Sequence, residues 1–165
     1  IPTDGRTALQ WARELGTSAV VVHDRIIARP AATTVNAASD APRAPALAYA
    51  TAPDLSPAQK AVAAEHLQSW GFEPHAVADT PGLVVARTVA MLINEAADAV
   101  HQGVCNPEGA DAAMKLGVNY PAGPFEWLER WGAGGVVGVL QALDTHYRGE
   151  RYRVSPWLRR QAAPC

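Results

Sequence analysis

Five histidines, His23, His66, His75, His101 and His146, are the side chains best suited to proton transfer near neutral pH. They are scattered, with no His-Glu-x-x-His pair and no Cys-x-x-Cys beside them, so no zinc-type spacing exists. Neither a Gly-x-Ser-x-Gly elbow nor a Walker-type phosphate loop is present. His23-Asp24 could form an acid–base pair. Neighbours on a strand point to opposite faces, however, and the pair reads as a surface strand end. Asn94 and Glu95 interrupt an apolar stripe, with Arg87 about two turns earlier on a helix of ~3.6 residues per turn. Polar groups at such a seam must be paired, so hydrogen-bonded cross-links are the first reading and a catalytic carboxylate at Glu95 the second.

Arg148, Arg151, Arg153, Arg159 and Arg160 interleave with Tyr147, Tyr152 and Trp157. Guanidinium groups of this kind hold phosphates or carboxylates; a solvated helix end or a subunit contact is the simpler reading. The glycines at 132, 134, 135 and 138 suggest a dinucleotide loop, but the third glycine of that pattern falls on Val137. The cluster also follows the amphipathic segment Phe125 to Trp131 rather than a buried strand, so a tight helix-to-helix corner is expected. Gly117-Val-Asn-Tyr-Pro-Ala-Gly-Pro124 is the sharpest local feature. Gly117 permits positive φ, Pro121 and Pro124 stiffen the chain, and Gly123 allows close backbone approach.

These residues lie in a chain of 165 residues, 48% apolar and 18% charged, which suits one globular domain or a small lobe leaning on another. A net charge of −2 offers no field for nucleic acid or an anionic membrane. No apolar run approaches the ~20 residues of a membrane span, and no signal-peptide pattern opens the chain. Cys105 and Cys165 are too few for a disulfide framework, so a reduced cytoplasmic protein is expected, with Cys165 mobile at the end. The first residue, Ile1 rather than Met, suggests a piece of a longer polypeptide.

The elements that must position these side chains divide near residue 79. In residues 1–78, Thr3-Asp4-Gly5 is a turn and Thr7 to Leu15 a helix closed by Gly16. Ala19 to Val22 and Ala46 to Ala50 are strands, and Ile26-Ile27 is a possible further strand. Residues 30–45 read as partly helical, followed by a connection. Pro57 to Trp70 is a helix capped by Ser56 and stopped by Gly71, and Phe72 to Val77 is extended. This alternation favours a small α/β layer. Residues 79–165 are all helical. Helices are expected from Pro81 to Gly103, from Pro107 (capped by Asn106) to Leu116 with Gly117 as the stop, and over Pro121 to Trp131, Gly135 to Tyr147 and Ser155 to Ala162.

Asp79-Thr-Pro-Gly-Leu-Val-Val-Ala-Arg87, Asn94-Glu95-Ala96, Met114 to Pro124 and Arg151-Tyr-Arg-Val-Ser-Pro156 with Leu158 resemble the C-terminal domain of the 3-hydroxyacyl-CoA dehydrogenases. The part before Asp79 is similar to the end of that family's nucleotide-binding half, in a shorter and more degenerate form. The whole looks most like the terminal second copy carried by some long bacterial members, including those of phenylacetate-type catabolism. The fold implied is mainly α: a helical bundle of the 6-phosphogluconate dehydrogenase C-terminal-like type over residues 79–165, with a small degenerate α/β lobe, residues 1–78, in front.

The family oxidises 3-hydroxyacyl-CoA to 3-oxoacyl-CoA with NAD, using a histidine oriented by glutamate in a His-Phe-Phe-Asn-Pro setting. Neither that setting nor a Gly-x-Gly-x-x-Gly loop occurs here. The helical domain's own contribution is an asparagine in Pro-Gly-Phe-x-x-Asn-Arg. That asparagine's position is Ala86 and the motif's Phe is Leu83. A methyl can neither donate nor accept a hydrogen bond. The resemblance thus implies no catalytic, cofactor-binding or metal residue in this chain, with NAD and the acyl-CoA substrate belonging to a parent enzyme. It leaves the chain cleft shaping or homodimerisation through the bundle. Trp127, Trp131, Val136, Val137 and Leu140 are candidates for a contact surface or equally for core packing. The alternative is an independently active enzyme using Glu95 or His101. A related dehydrogenase of 3-hydroxy acids is a third reading, against which Tyr120-Pro-Ala-Gly-Pro124 argues.

Overall fold

The computed structural model describes residues 1–26 and 44–163. The expectations for Ile27, for residues 30–43 and for Cys165 lie outside the described residues. The chain runs α1 (Ala8–Leu15), β1 (Val21–His23), β2 (Ala46–Thr51), α2 (Pro57–Ser69), β3 (Glu73–Ala76), α3 (Val85–His101), α4 (Pro107–Val118), α5 (Pro124–Trp131), α6 (Ala133–Tyr147), a 3-10 turn (Glu150–Tyr152) and α7 (Pro156–Ala162). It is mainly α, as expected, with one small sheet.

Local sequence explains most of the helix boundaries. Thr7 and Gln10 form a capping box at α1, and Gly16 ends it in the left-handed region. Ser56 and Gln59 do the same at the start of α2, and Asn106 caps α4 with Pro107 in its first turn. The sheet order is β1-β2-β3, with β1 antiparallel and β3 parallel to the central β2. Alternation along the strands buries Val22, Ala50 and Ala52 with Ala8 of α1 and Leu83, while Leu47 and Tyr49 meet Leu67 of α2 on the other face. The larger core joins Ile93 of α3, Trp127 of α5, Val136, Leu140 and Leu143 of α6 and Leu158 of α7.

Several element bounds differ from the sequence reading, two of them for reasons visible in the backbone. The long helix starts at Val85 rather than Pro81, because Gly82 (φ 71°) and Leu83 (φ 47°) are both left-handed and turn the chain first. Helix α4 passes through Gly117 and ends at Val118, with Asn119 (φ 57°) taking the left-handed cap position instead. Helix α5 begins at Pro124 rather than Pro121, and Ile26 lies outside any strand. Of the glycine cluster only Gly132 (φ 84°) makes the expected corner between α5 and α6; Gly134, Gly135 and Gly138 lie within α6, which starts at Ala133 rather than Gly135.

Carboxylates from other elements pair further N–H groups at three helix starts. Asp24, 1% exposed at the end of β1, accepts from the main-chain N–H of Val84 (2.9 Å), Val85 (2.6 Å) and Ala86 (2.8 Å) at the start of α3. Asp79 accepts from Ala8 and Leu9 at the start of α1. Asp111 of α4 accepts from Phe125 and Glu126 of α5. Each pairs orphan N–H groups and complements the positive end of a helix dipole. His23 and Asp24 therefore do point to opposite faces, but both are buried, which corrects the expected surface strand end. The His23 Nδ1 donates to the Asp24 carbonyl at 2.9 Å, and burial, the largest influence, pulls its pKa below the ordinary value.

Between the sheet part and the bundle the fit is close. A Cβ on Gly5 (φ 102°) would stand 2.7 Å from the Ala142 Cβ of α6. Asn94, 4% exposed, bridges α3 to the approach of α7, its amide donating to the Arg153 carbonyl (3.0 Å) and accepting from the Ser155 N–H (2.8 Å).

Replacing Asp24 with Ala is expected to cost about 3 kcal/mol, because three helix N–H groups lose a charged acceptor in a buried setting. Urea denaturation checks it, and a cost within the range of a surface substitution counts against the role given to Asp24. At Gly123 a Cβ would overlap the Asp111 carboxyl. Gly123→Ala and Asp111→Ala should each destabilise, and the double variant by clearly less than their sum, since both lose the same cap. His23 gives a pH signature. A lowered folded pKa means its contribution is full above the unfolded value of about 6.5 and fades as pH falls below it. Melting temperatures across this window should fall less steeply in His23→Gln than in the parent chain; equal slopes would exclude His23 as the source.

Candidate functional site

A cleft of about 390 Å³ opens where the sheet meets the bundle, lined by Asp24, Arg25, Leu47, Phe72, Val85, Val89 and Trp127 among others. Asp24 and Arg25 are its only charged lining residues among those described. Strand β1 delivers both, and the first turns of α3 supply Val85 and Val89 opposite. Asp24 has no acceptor capacity left to offer. Its Oδ2 takes the Val84 and Val85 N–H groups, and its Oδ1 takes those of Ala86 and, at 2.8 Å, Arg25. A carboxylate bonded by four N–H groups cannot take a proton from a ligand without giving up a main-chain bond. The Arg25 guanidinium lies 4.9 Å over the Trp131 ring, and burial draws its pKa down from the ordinary value, although arginine stays cationic. Among the described residues the cleft is therefore an apolar slot with one available cation.

Ala86 is fully buried between these two lining valines, and its N–H is committed to Asp24. Leu83 is also buried, packed under the sheet. Asn94 is a structural cross-link, as first read. Glu95 and His101 are both exposed, and six residues apart on α3 they stand about 9 Å apart along the axis and on different sides. The His101 Nδ1 is 3.4 Å from the Arg160 guanidinium. The two do not converge on any common point, so they form no catalytic pair.

Trp127, Val136 and Leu140 lie in the bundle core, and Trp131 and Val137 pack partly buried against it. Packing within one chain accounts for all five. In the arginine cluster, Arg153 pairs with Asp98 (2.9 Å) and Glu150 (3.6 Å). Arg148 and Arg151 instead line a small cleft with Arg87. A larger cavity of about 560 Å³, mostly apolar, lies between α2 and β1 beside His23, His66 and Trp70. Among the described residues no cluster of His, Cys, Asp or Glu could hold a metal ion, and no helix is long and apolar enough to cross a membrane.

Sequence reasoning missed the functions of Asp24 and Arg25. The signal was present, since the start of α3 offers Val84 as its cap and no acid in its first turn. An acceptor had to come from elsewhere, but nothing local says from where.

Comparison with known proteins identifies the family of the helical part. Residues 82–163 match the family described as 3-hydroxyacyl-CoA dehydrogenase, C-terminal domain. The chain is 39% identical over 162 residues to the 3-hydroxyadipyl-CoA dehydrogenase of Escherichia coli strain K12, covering 98% of this chain and 30% of that protein. It is 37% identical over 84 residues to a probable 3-hydroxybutyryl-CoA dehydrogenase of Bacillus subtilis, covering 51% of this chain and 29% of that protein. A crystal structure of 3-hydroxybutyryl-CoA dehydrogenase from Escherichia coli K12 superposes with a TM-score of 0.83 at 36% identity, covering 98% of this chain and 31% of that one. The match thus spans about 30% of the length of each of these three relatives. Through residues 82–163 it belongs to the 3-hydroxyacyl-CoA dehydrogenase family, as a C-terminal domain of that type.

Proposed function

We propose that the chain is the C-terminal part of an NAD-dependent enzyme that oxidises 3-hydroxyacyl-CoA to 3-oxoacyl-CoA, and that it shapes the substrate cleft or aids assembly without doing chemistry itself. The observation that carries this reading is the saturation of Asp24: the one acid among the cleft's described residues is spent on capping α3. Position 86, where the family brings an amide, holds a buried methyl. The chain also has no glycine between Gly16 and Gly71, so neither β1 nor β2 runs into the glycine turn that a dinucleotide pyrophosphate needs. In this reading NAD belongs to the parent enzyme, and the described residues hold no catalytic, cofactor-binding or metal role.

In this reading residues 1–78 are the remnant α/β lobe and residues 79–165 the helical domain, in a cytoplasmic homodimer formed through the bundle. With Trp127, Val136 and Leu140 committed to the core, a contact between copies falls to apolar side chains still in solvent, such as Leu116 (87% exposed) and Val118 on α4. Independent catalysis by Glu95 or His101 gains no support, since both are exposed and apart.

Incubating the isolated chain with a 3-hydroxyacyl-CoA and NAD should give no NADH above the protein-free blank, and Ala86→Asn should not restore any. Steady turnover by the isolated chain would overturn the non-catalytic assignment. For assembly, Leu116→Asp should shift a light-scattering mass toward the monomer; a parent chain that is monomeric at high concentration removes that part of the reading.

A further inference from the structure

Arg87, Arg148 and Arg151 meet with Tyr147 and Tyr152 around a cleft of about 180 Å³ between the start of α3 and the end of α6. No carboxylate lines it among the described residues. Arg87 is held in place: its Nε and Nη2 donate to the Pro81 carbonyl at 3.1 and 2.6 Å, and Nη2 donates to the Tyr147 hydroxyl at 3.1 Å. The guanidinium sits 5.4 Å over the Tyr147 ring. An arginine has five N–H donors, so the two on Nη1 remain unengaged within the described residues. Arg148 and Arg151 make no ion pair among these residues either, whereas the neighbouring Arg153 makes two.

The backbone adds an independent sign. Arg148 closes α6 at φ 54°, ψ 110°, outside even the left-handed helical well, and Gly149 follows it at φ 148°. A long side chain in that conformation is held against its preference, and such strain persists where surrounding structure or function maintains it. Three guanidinium groups around one cleft also repel each other unless an anion lies between them.

We propose that this cleft binds a phosphate group, with Arg87 as the fixed donor and Arg148 and Arg151 closing from the rim. Planar guanidinium forks match phosphate oxygens bidentately, and a space of this size admits one or two phosphoryl groups rather than a whole nucleotide. The Tyr147 hydroxyl, which accepts from Arg87, has its own proton free to donate to the anion. The proposal does not depend on the acyl-CoA reading: the phosphate can be a free anion or the esterified phosphate of a coenzyme.

Titration calorimetry with inorganic pyrophosphate at constant ionic strength, with chloride as the control salt, tests it. Saturable binding with a Kd on the order of 1 mM or tighter is expected. Arg148→Gly should bind about tenfold more weakly while melting no lower than the parent, because glycine relieves the backbone as it removes the cation. Arg151→Ala should also weaken binding, and Arg159→Ala with Arg160→Ala, outside the cleft, should leave it unchanged. No saturable heat beyond chloride, or an equal loss in the outside variant, would overturn the site and leave the proposed function untouched. Coenzyme A in a second arm distinguishes the sources: displacement of pyrophosphate identifies an ester, pyrophosphate binding alone identifies the free anion, and either keeps the site.

Discussion

The carboxylate of Asp24 against the first N–H groups of α3 is the contact on which the arrangement of this molecule turns. Helix α3 is the longest in the fold and touches α4, α5, α6 and α7, yet it begins on Val84, which has no side-chain acceptor to cap it. The chain arrives through two left-handed residues, Gly82 and Leu83, that turn the following N–H groups toward the end of β1. Leu83 tolerates its conformation because its side chain is buried against Val22 and Ala50 under the sheet. One charged residue thus ties the end of β1 to the start of α3, at the wall of the cleft between them. Asp79 and Asp111 repeat the device at α1 and α5, so three helix starts are tied to chain segments far from them in sequence or across a turn.

That dependence bears directly on chemistry. A carboxylate at the end of a strand, facing a cleft beside an arginine, has the ingredients of a general base. Here its lone pairs are filled by main-chain donors, and the stabilisation they give is what holds the cleft open. The same atoms cannot serve both ends. Family membership and cleft chemistry therefore carry different information: the first rests on the helical domain's sequence, the second on how individual oxygens are occupied.

What could be read from the sequence follows the range of each interaction. Thr7 with Gln10, Ser56 with Gln59, and Asn106 with Pro107 are local pairs, and the helices they start lie within a residue or so of expectation. The caps from Asp24, Asp79 and Asp111 span 14 to 71 residues, and no window along the chain reveals them. Gly117 misled for a related reason. Glycine is the usual left-handed stop, but two further residues can stay helical before Pro121, and Asn119 tolerates the left-handed turn. The aromatic and aliphatic set from Trp127 to Leu140 shows the limit of periodicity. An apolar stripe announces that a partner exists without saying whether it is the next helix or another molecule, and here the next helix takes it.

The arginines illustrate the converse, where sequence proximity hides different roles. Arg151 and Arg153 are two residues apart, yet Arg153 is neutralised by Asp98 of α3 and by Glu150, while Arg151 faces a cleft with no acid among its described residues. The separation arises because the 3-10 turn at Glu150–Tyr152 buries Tyr152 against the core and sends its flanking residues to opposite sides. Asn94 then takes the Arg153 carbonyl and the Ser155 N–H, fixing the path into α7. A buried amide on α3 therefore ties the main chain on both sides of Val154 to the bundle.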